Sequence, residues 1–146
     1  MTELLDQNAA DLAATADRLL ADLDQRVPGA TALRGECRPS LDVVEKTDAV
    51  EVVMDLPGVG ADAVRVAIRR NAVIIVGAKL PRPCETPARF HLAERSYGRF
   101  ARVVRVAGAL DSSKARAVSA NGLLRVTIPK TPERRGQVFD IAVERG

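Results

Sequence analysis

The sequence predicts an all-β fold, an antiparallel β-sandwich, preceded by a helical N-terminal arm and followed by an extended C-terminal tail. Three observations predict it. Between residues 41 and 130 the apolar residues recur with a period of two, the strand period. The strand-like runs follow one another on short turns with no helical pattern between them, which favours an antiparallel sandwich over an α/β fold. The first 27 residues have a helical period instead, and the last ones carry a single apolar pair in a polar, charged stretch.

The arm is "TELLDQNAADLAATADRLLADLDQRVPG". Leu5, Ala9, Leu12, Ala16, Leu19 and Leu23 recur at spacings of 4, 3, 4, 3 and 4, an amphipathic helix that "VPG" ends. Its apolar face is narrow and diluted by alanine. Two readings stand: a helix packed on its own domain, or a sticky arm that pairs between chains or touches other proteins. "GATALRGECRPS" is a linker of small residues with two glycines and a proline.

"LDVVEKTDAVEVVMDLPGV" reads as two strands around "KTD", with Val50, Val52 and Met54 alternating against Glu51, Val53 and Asp55. In "AVRVAIRRNAVIIVGAK", Val64, Val66 and Ile68 face one way and Arg65 and Arg69 the other, and Arg70-Asn71 turns the chain into the next strand. "RFARVVRV" is a further strand. In "LDSSKARAVSANGLLRVTIPK" a hairpin turn at "ANG" sends Leu124, Val126 and Ile128 inward. One connection is disproportionate: "KLPRPCETPARFHLAERSYGR" runs about 20 residues between strands, and loops of that length in compact domains are usually functional or disordered. Its first half has three prolines; its second half, "RFHLAERS", is suited to an extended conformation.

Composition limits function. A chain of 146 residues fits one domain with extensions. With 47% apolar and 28% charged residues it is globular, and with 3% aromatics and no Trp its core is built from Val, Leu, Ile and Ala. The net charge of +3 is uneven: six acids and three arginines give residues 1–35 a charge of −3, leaving +6 on the rest, an acidic arm on a basic body. That is too little charge to imply nucleic acid. The N-terminus lacks the basic and apolar regions of a secretory leader. No run approaches the roughly 18 apolar residues of a membrane span. Cys37 and Cys84 fit no metal or redox spacing. A cytoplasmic protein with reduced thiols is expected.

Several constellations imitate chemistry. Gly58-x-Gly60-x-x-Ala63 outlines a dinucleotide fingerprint, but "VRVAIR" after it alternates like a strand where a helix N-terminus is required. "SYGRFARVVRV" echoes an RNA-binding strand, yet one Tyr and three Phe in the whole chain are too few for a base-stacking sheet. His91 is the single histidine, too little for a metal site or a His-dependent triad. Ser96, Ser112, Ser113 and Ser119 lie in no nucleophile motif. No catalytic residue, cofactor site or metal site is expected, and the chain reads as a non-enzyme.

The ordered set of motifs resembles the small heat-shock proteins of the alpha-crystallin family over about residues 38–143. The residues that carry it are "DLPG" at Asp55 to Gly58, the strand end Val73-x-Ile75-x-Gly77, and Glu94-Arg95-x-Tyr97-Gly98-x-Phe100-x-Arg102. They continue with Ala117, Asn121, Gly122 and Leu124, then "IPK" from Ile128 to Lys130, and the I-x-V tail Ile141-Ala142-Val143. The chain departs from the family at Val106-Ala107, where Leu-Pro is usual, and at Gly77-Ala78-Lys79, where Gly-Glu-Arg is usual. Its outward Ile74 and Val76 are also more apolar than usual.

The resemblance implies an immunoglobulin-like sandwich, the alpha-crystallin domain, over residues 38–131. Residues 1–37 are then the arm and 132–146 the flexible tail. It implies an ATP-independent holdase that binds unfolding client proteins and assembles from dimers into larger oligomers. The tail pair Ile141 and Val143 is expected in an apolar groove lined by Val64, Val66, Ala115 and Ala117, on another chain; the alternatives are a tail folded on its own domain and groove residues that are plain core. A dimer loop with Phe90, Leu92, Glu94 and Arg95 is expected to carry a strand, around residues 89–95, exchanged with a partner. Leu5, Leu12, Leu19 and Leu23 are expected to bind clients. Two rivals remain: a co-chaperone-type sandwich that recruits one partner without assembling, and a membrane-surface protein, whose acidic arm anionic lipid would repel.

Overall fold

The computed structural model describes residues 2–29, 37–81, 86–131 and 138–146, and the side chains of the N-terminal helix from residue 9 onward. The side chain of Leu5, most of the linker, Pro83 and Cys84 lie outside the described residues. The described chain forms α1 (Thr2–Arg26), β1 (Leu41–Glu45), β2 (Ala49–Asp55), β3 (Val64–Arg69), β4 (Ala72–Lys79), β5 (Gly98–Arg105), β6 (Arg116–Ala120), β7 (Leu123–Pro129), β8 (Val138–Ile141) and β9 (Val143–Arg145). One sheet has the order β5-β4-β3-β8 and the other β1-β2-β7-β6-β9. Their strands pair antiparallel, apart from the parallel pair β6–β9. The protein is the expected all-β antiparallel sandwich with a helical arm.

The inward alternation builds the core. Val50, Val52, Met54, Leu124, Val126 and Ile128 of one sheet meet Val64, Val66, Ile68, Val73 and Ile75 of the other, and all are buried. Two tight hairpins set the register. Arg70 and Asn71 (φ 49° and 60°) join β3 to β4, and Asn121 and Gly122 (φ 55° and 76°) join β6 to β7. Both turns hold two residues at positive φ, the geometry whose twist matches the flanking strands.

The outer face of the first sheet is apolar, and α1 covers it. Leu12, Ala16 and Leu19 pack on Ala67, Ala72, Ile74 and Val76. One turn further on, Leu23 and Val27 reach past the sheet into the sandwich core. Burying a Leu, Ile or Val side chain stabilises by about 1.5–3 kcal/mol, so the outward Ile74 and Val76 make this face a strong seat for a helix. The charge asymmetry falls on the same interface. Asp11 lies 3.2 Å from Arg69 and 3.8 Å from Arg70, Asp22 lies 3.4 Å from Arg65, and Asp24 lies 3.0 Å from Arg99. Of the two readings of the helix, packing on its own domain is the arrangement in this chain.

Residues 86–97 of the long loop form no strand within the chain. A strand needs a partner edge, and this segment meets none in its own sandwich. Phe90 and Leu92 are 75% and 76% exposed.

Candidate functional site

The apolar groove expected from the sequence lies at one side of the sandwich, where β3 and β6 would be the bare edges of the two sheets. The tail covers both edges in sequence. β8 extends the first sheet, with Val66 opposite Ile141 and Ile68 opposite Phe139. The chain crosses at Ala142, and β9 extends the second sheet, with Ala117 opposite Val143. The Gly146 N–H donates to the Ser119 carbonyl at 3.1 Å and closes the end. Exposed strand edges are ready docking sites for an extended segment, because main-chain hydrogen bonds supply affinity and side-chain pockets supply specificity.

Of the four expected groove residues, Val66 stands opposite Ile141 and Ala117 opposite Val143, and Val64 lines the same cleft as the tail pair. With the tail seated, Val64, Val66 and Ala117 are buried and Ala115 is half-buried. Ile141 and Val143 are half-buried and packed against the sandwich core. Two residues apart on an extended segment, they point the same way, into the groove. The tail here lies on the groove of its own chain, where the sequence favoured the groove of another.

Sequence reasoning missed the polar contacts of the tail. Arg18 of α1 donates to the Asp140 carboxylate at 2.9 Å, and Arg116 of β6 donates to the Glu144 carboxylate at 2.7 Å. The signal was the string Asp-Ile-Ala-Val-Glu, with an acid on each side of the apolar pair. A cleft of about 650 Å³ separates α1 from the tail, with Arg18, Leu19 and Asp22 on one wall and Asp140 and Ile141 on the other.

The remaining candidates lie elsewhere. Leu12, Leu19 and Leu23 are buried on the face of α1 that packs on the sandwich. Phe90, Leu92, Glu94 and Arg95 are exposed in the long loop. The Arg95 guanidinium stacks on the Tyr97 ring, 5.3 Å from its centre, which favours the cation over the ring face. His91 is exposed. Among the described residues no cluster of three or more His, Cys, Asp or Glu could hold a metal ion, and no helix is long and apolar enough to cross a membrane.

The sandwich has counterparts among known proteins. A sequence model of the Hsp20/alpha crystallin family matches residues 42–144. Heat shock protein 16 of Schizosaccharomyces pombe is 37% identical over 98 residues, which cover 66% of this chain and 68% of that protein. Spore protein SP21 of Stigmatella aurantiaca is 32% identical over 104 residues, covering 71% of this chain and 62% of the relative. The 17.7 kDa class II heat shock protein of Arabidopsis thaliana is 34% identical over 93 residues, covering 62% and 60%. The chain thus spans about three fifths to two thirds of the length of these relatives. Among solved structures, heat shock protein 16.0 of S. pombe superposes with a TM-score of 0.60 at 32% identity, covering 70% of this chain and 94% of that one. The hspA structure from Xanthomonas axonopodis gives 0.60 at 28% identity, covering 67% and 98%. With a family model matched over residues 42–144 and the sandwich shared with these solved structures, the chain belongs to the Hsp20/alpha crystallin family of small heat-shock proteins, a chaperone family.

Proposed function

We propose that the protein is an ATP-independent holdase, which binds unfolding clients, keeps them from aggregating and assembles from dimers into larger oligomers in the cytoplasm. The observation that carries this reading is the seating of Ile141 and Val143 across the edges of β3 and β6. A contact made by a short extended segment is separable from the core, so the same tail can serve its own groove or a neighbour's. Two aliphatic side chains contribute about 1.5–3 kcal/mol each when fully buried, less the cost of ordering the tail. One tail is a weak link, whereas many in one assembly act together. In this reading residues 1–37 are the arm, 38–131 the sandwich and 132–146 the assembling tail. The leucine face of α1, when it leaves the sheet, is the client-binding surface. The exposed loop with Phe90, Leu92, Glu94 and Arg95 reaches a partner's sheet and makes the dimer.

The test is light scattering of a heated client with and without ATP, together with size-exclusion chromatography of Ile141→Ala, Val143→Ala and of a chain whose residues 82–95 are replaced by a short Gly-Ser turn. Suppression without nucleotide, smaller species for the tail variant and monomers for the loop variant are expected. No suppression at excess chaperone would sink the holdase reading. A second reading, a sandwich that recruits one partner without assembling, is favoured by the tail lying on its own groove; a wild-type chain that elutes as a monomer would establish it.

A further inference from the structure

The tail carries more information than its apolar pair. Its outward-facing Asp140 stands opposite Ala67 in the β3–β8 register, beneath α1, and takes the Arg18 guanidinium at 2.9 Å. On the other sheet Glu144 stands beside Val118 and takes Arg116 at 2.7 Å. One arginine comes from the arm and the other from β6, so the tail is held by charge at both ends and by apolar contact between them. Both pairs are exposed. Such pairs add little to stability, a factor of about two to five in an equilibrium each. Their larger effect is on discrimination, since a tail with a basic residue at either position would set like charges against each other.

We propose that the groove selects tails whose I-x-V pair is bracketed by acids, with Arg18 and Arg116 as the specificity-determining residues, and that α1 is therefore part of the tail receptor. The occupant is the segment Val138–Gly146 of this sequence, which carries both acids whether it belongs to the same chain or to a second copy. The inference rests on the reading of the groove as the tail's receptor.

The test uses the full chain bearing Ile141→Ala and Val143→Ala, which weakens the hold of its own tail, and a labelled peptide of residues 138–146 followed by fluorescence anisotropy. A peptide with Asp140→Lys and Glu144→Lys is expected to bind about tenfold more weakly than the natural one at low salt. The gap should shrink near about 1 M salt, where charges are screened within a few ångströms. Arg18→Glu in the receptor should recover part of the loss for a peptide carrying Asp140→Lys alone. Arg116→Glu should do the same for Glu144→Lys. Equal binding of the natural and charge-reversed peptides, within twofold, would overturn the proposal, and because the peptide-side exchange leaves the protein untouched, misfolding of a receptor variant cannot obscure that result. A peptide with Ile141→Ala and Val143→Ala separates the two claims: if it binds like the natural peptide, the groove reading itself fails.

Discussion

The aromatic ring of Phe100 lies where a side chain on Gly77 would have to be. The two residues face each other across β4 and β5, and a methyl group on Gly77 would also come within 2.9 Å of the Ala63 carbonyl oxygen. Two of the motifs that mark the family, the glycine at the end of "VIIVG" and the Phe of "YGRF", are therefore halves of one packing contact. Gly77→Ala is expected to destabilise the sandwich by about 1–3 kcal/mol through overpacking, read as a lower melting temperature in circular dichroism. A melt unchanged from wild type would show that Phe100 moves aside freely.

The arm has two layers of burial, and they predict different costs. Leu23 is fully buried in the sandwich core, whereas Leu12 packs only on the outer sheet face. Leu23→Ala is expected to cost about 2–5 kcal/mol and to lower the melting temperature of the whole domain. Leu12→Ala should cost less and loosen α1 first. Denaturant titration of both variants checks this; equal losses would mean that helix and sandwich unfold as one unit.

The acids of α1 hold it to the arginines of β3, β5 and the β3–β4 turn. Replacing Asp11, Asp22 and Asp24 together by Asn is expected to cost about 1–2 kcal/mol in total, since such pairs near the surface contribute at most about 1 kcal/mol each. The change should appear as faster amide exchange along α1, with the core strands unaffected, and about 1 M salt should produce a similar effect in the wild type. Unaltered exchange in α1 would assign the docking to apolar contact alone.

Asp111 caps the single helical turn, Ser112–Lys114, that leads into β6. The hydrogen bond from the Ser113 hydroxyl, supported by bonds from Thr131 and the Ser113 N–H and by the Lys114 charge, holds its carboxyl below the ordinary value of 3.8, against the opposing effect of desolvation. A depressed folded-state pKa contributes stability that is present above the unfolded value and lost as pH falls through the folded one. Asp111→Asn is therefore expected to melt below wild type at neutral pH, with the gap closing as pH drops below 3.8. A gap independent of pH would remove the carboxylate charge from the account.

Period-two alternation and two-residue turns were enough to determine, from the sequence alone, the strands that build the core, the hairpin at Asn121-Gly122 and the sandwich they form. These signals are local: a strand shows one face to the core wherever its partner comes from. The helical period of residues 5–23 was equally legible. What covers Ile74 and Val76 was not, because alternation says that a side chain faces outward and nothing about the segment, some 60 positions away, that packs on it. Only the tertiary structure paired Asp11, Asp22 and Asp24 with arginines of the body and brought Arg18 to Asp140. "RFHLAERS" looked extended, yet it pairs with no strand in this chain, and extended character alone does not decide which edge, if any, a segment joins. The tail had the opposite fate. Val138, Phe139, Ile141 and Val143, interrupted by Asp140 and followed by charges, give only a weak strand signal, yet β8 and β9 form because β3 and β6 offer bare edges and the groove between them has room for Ile141 and Val143.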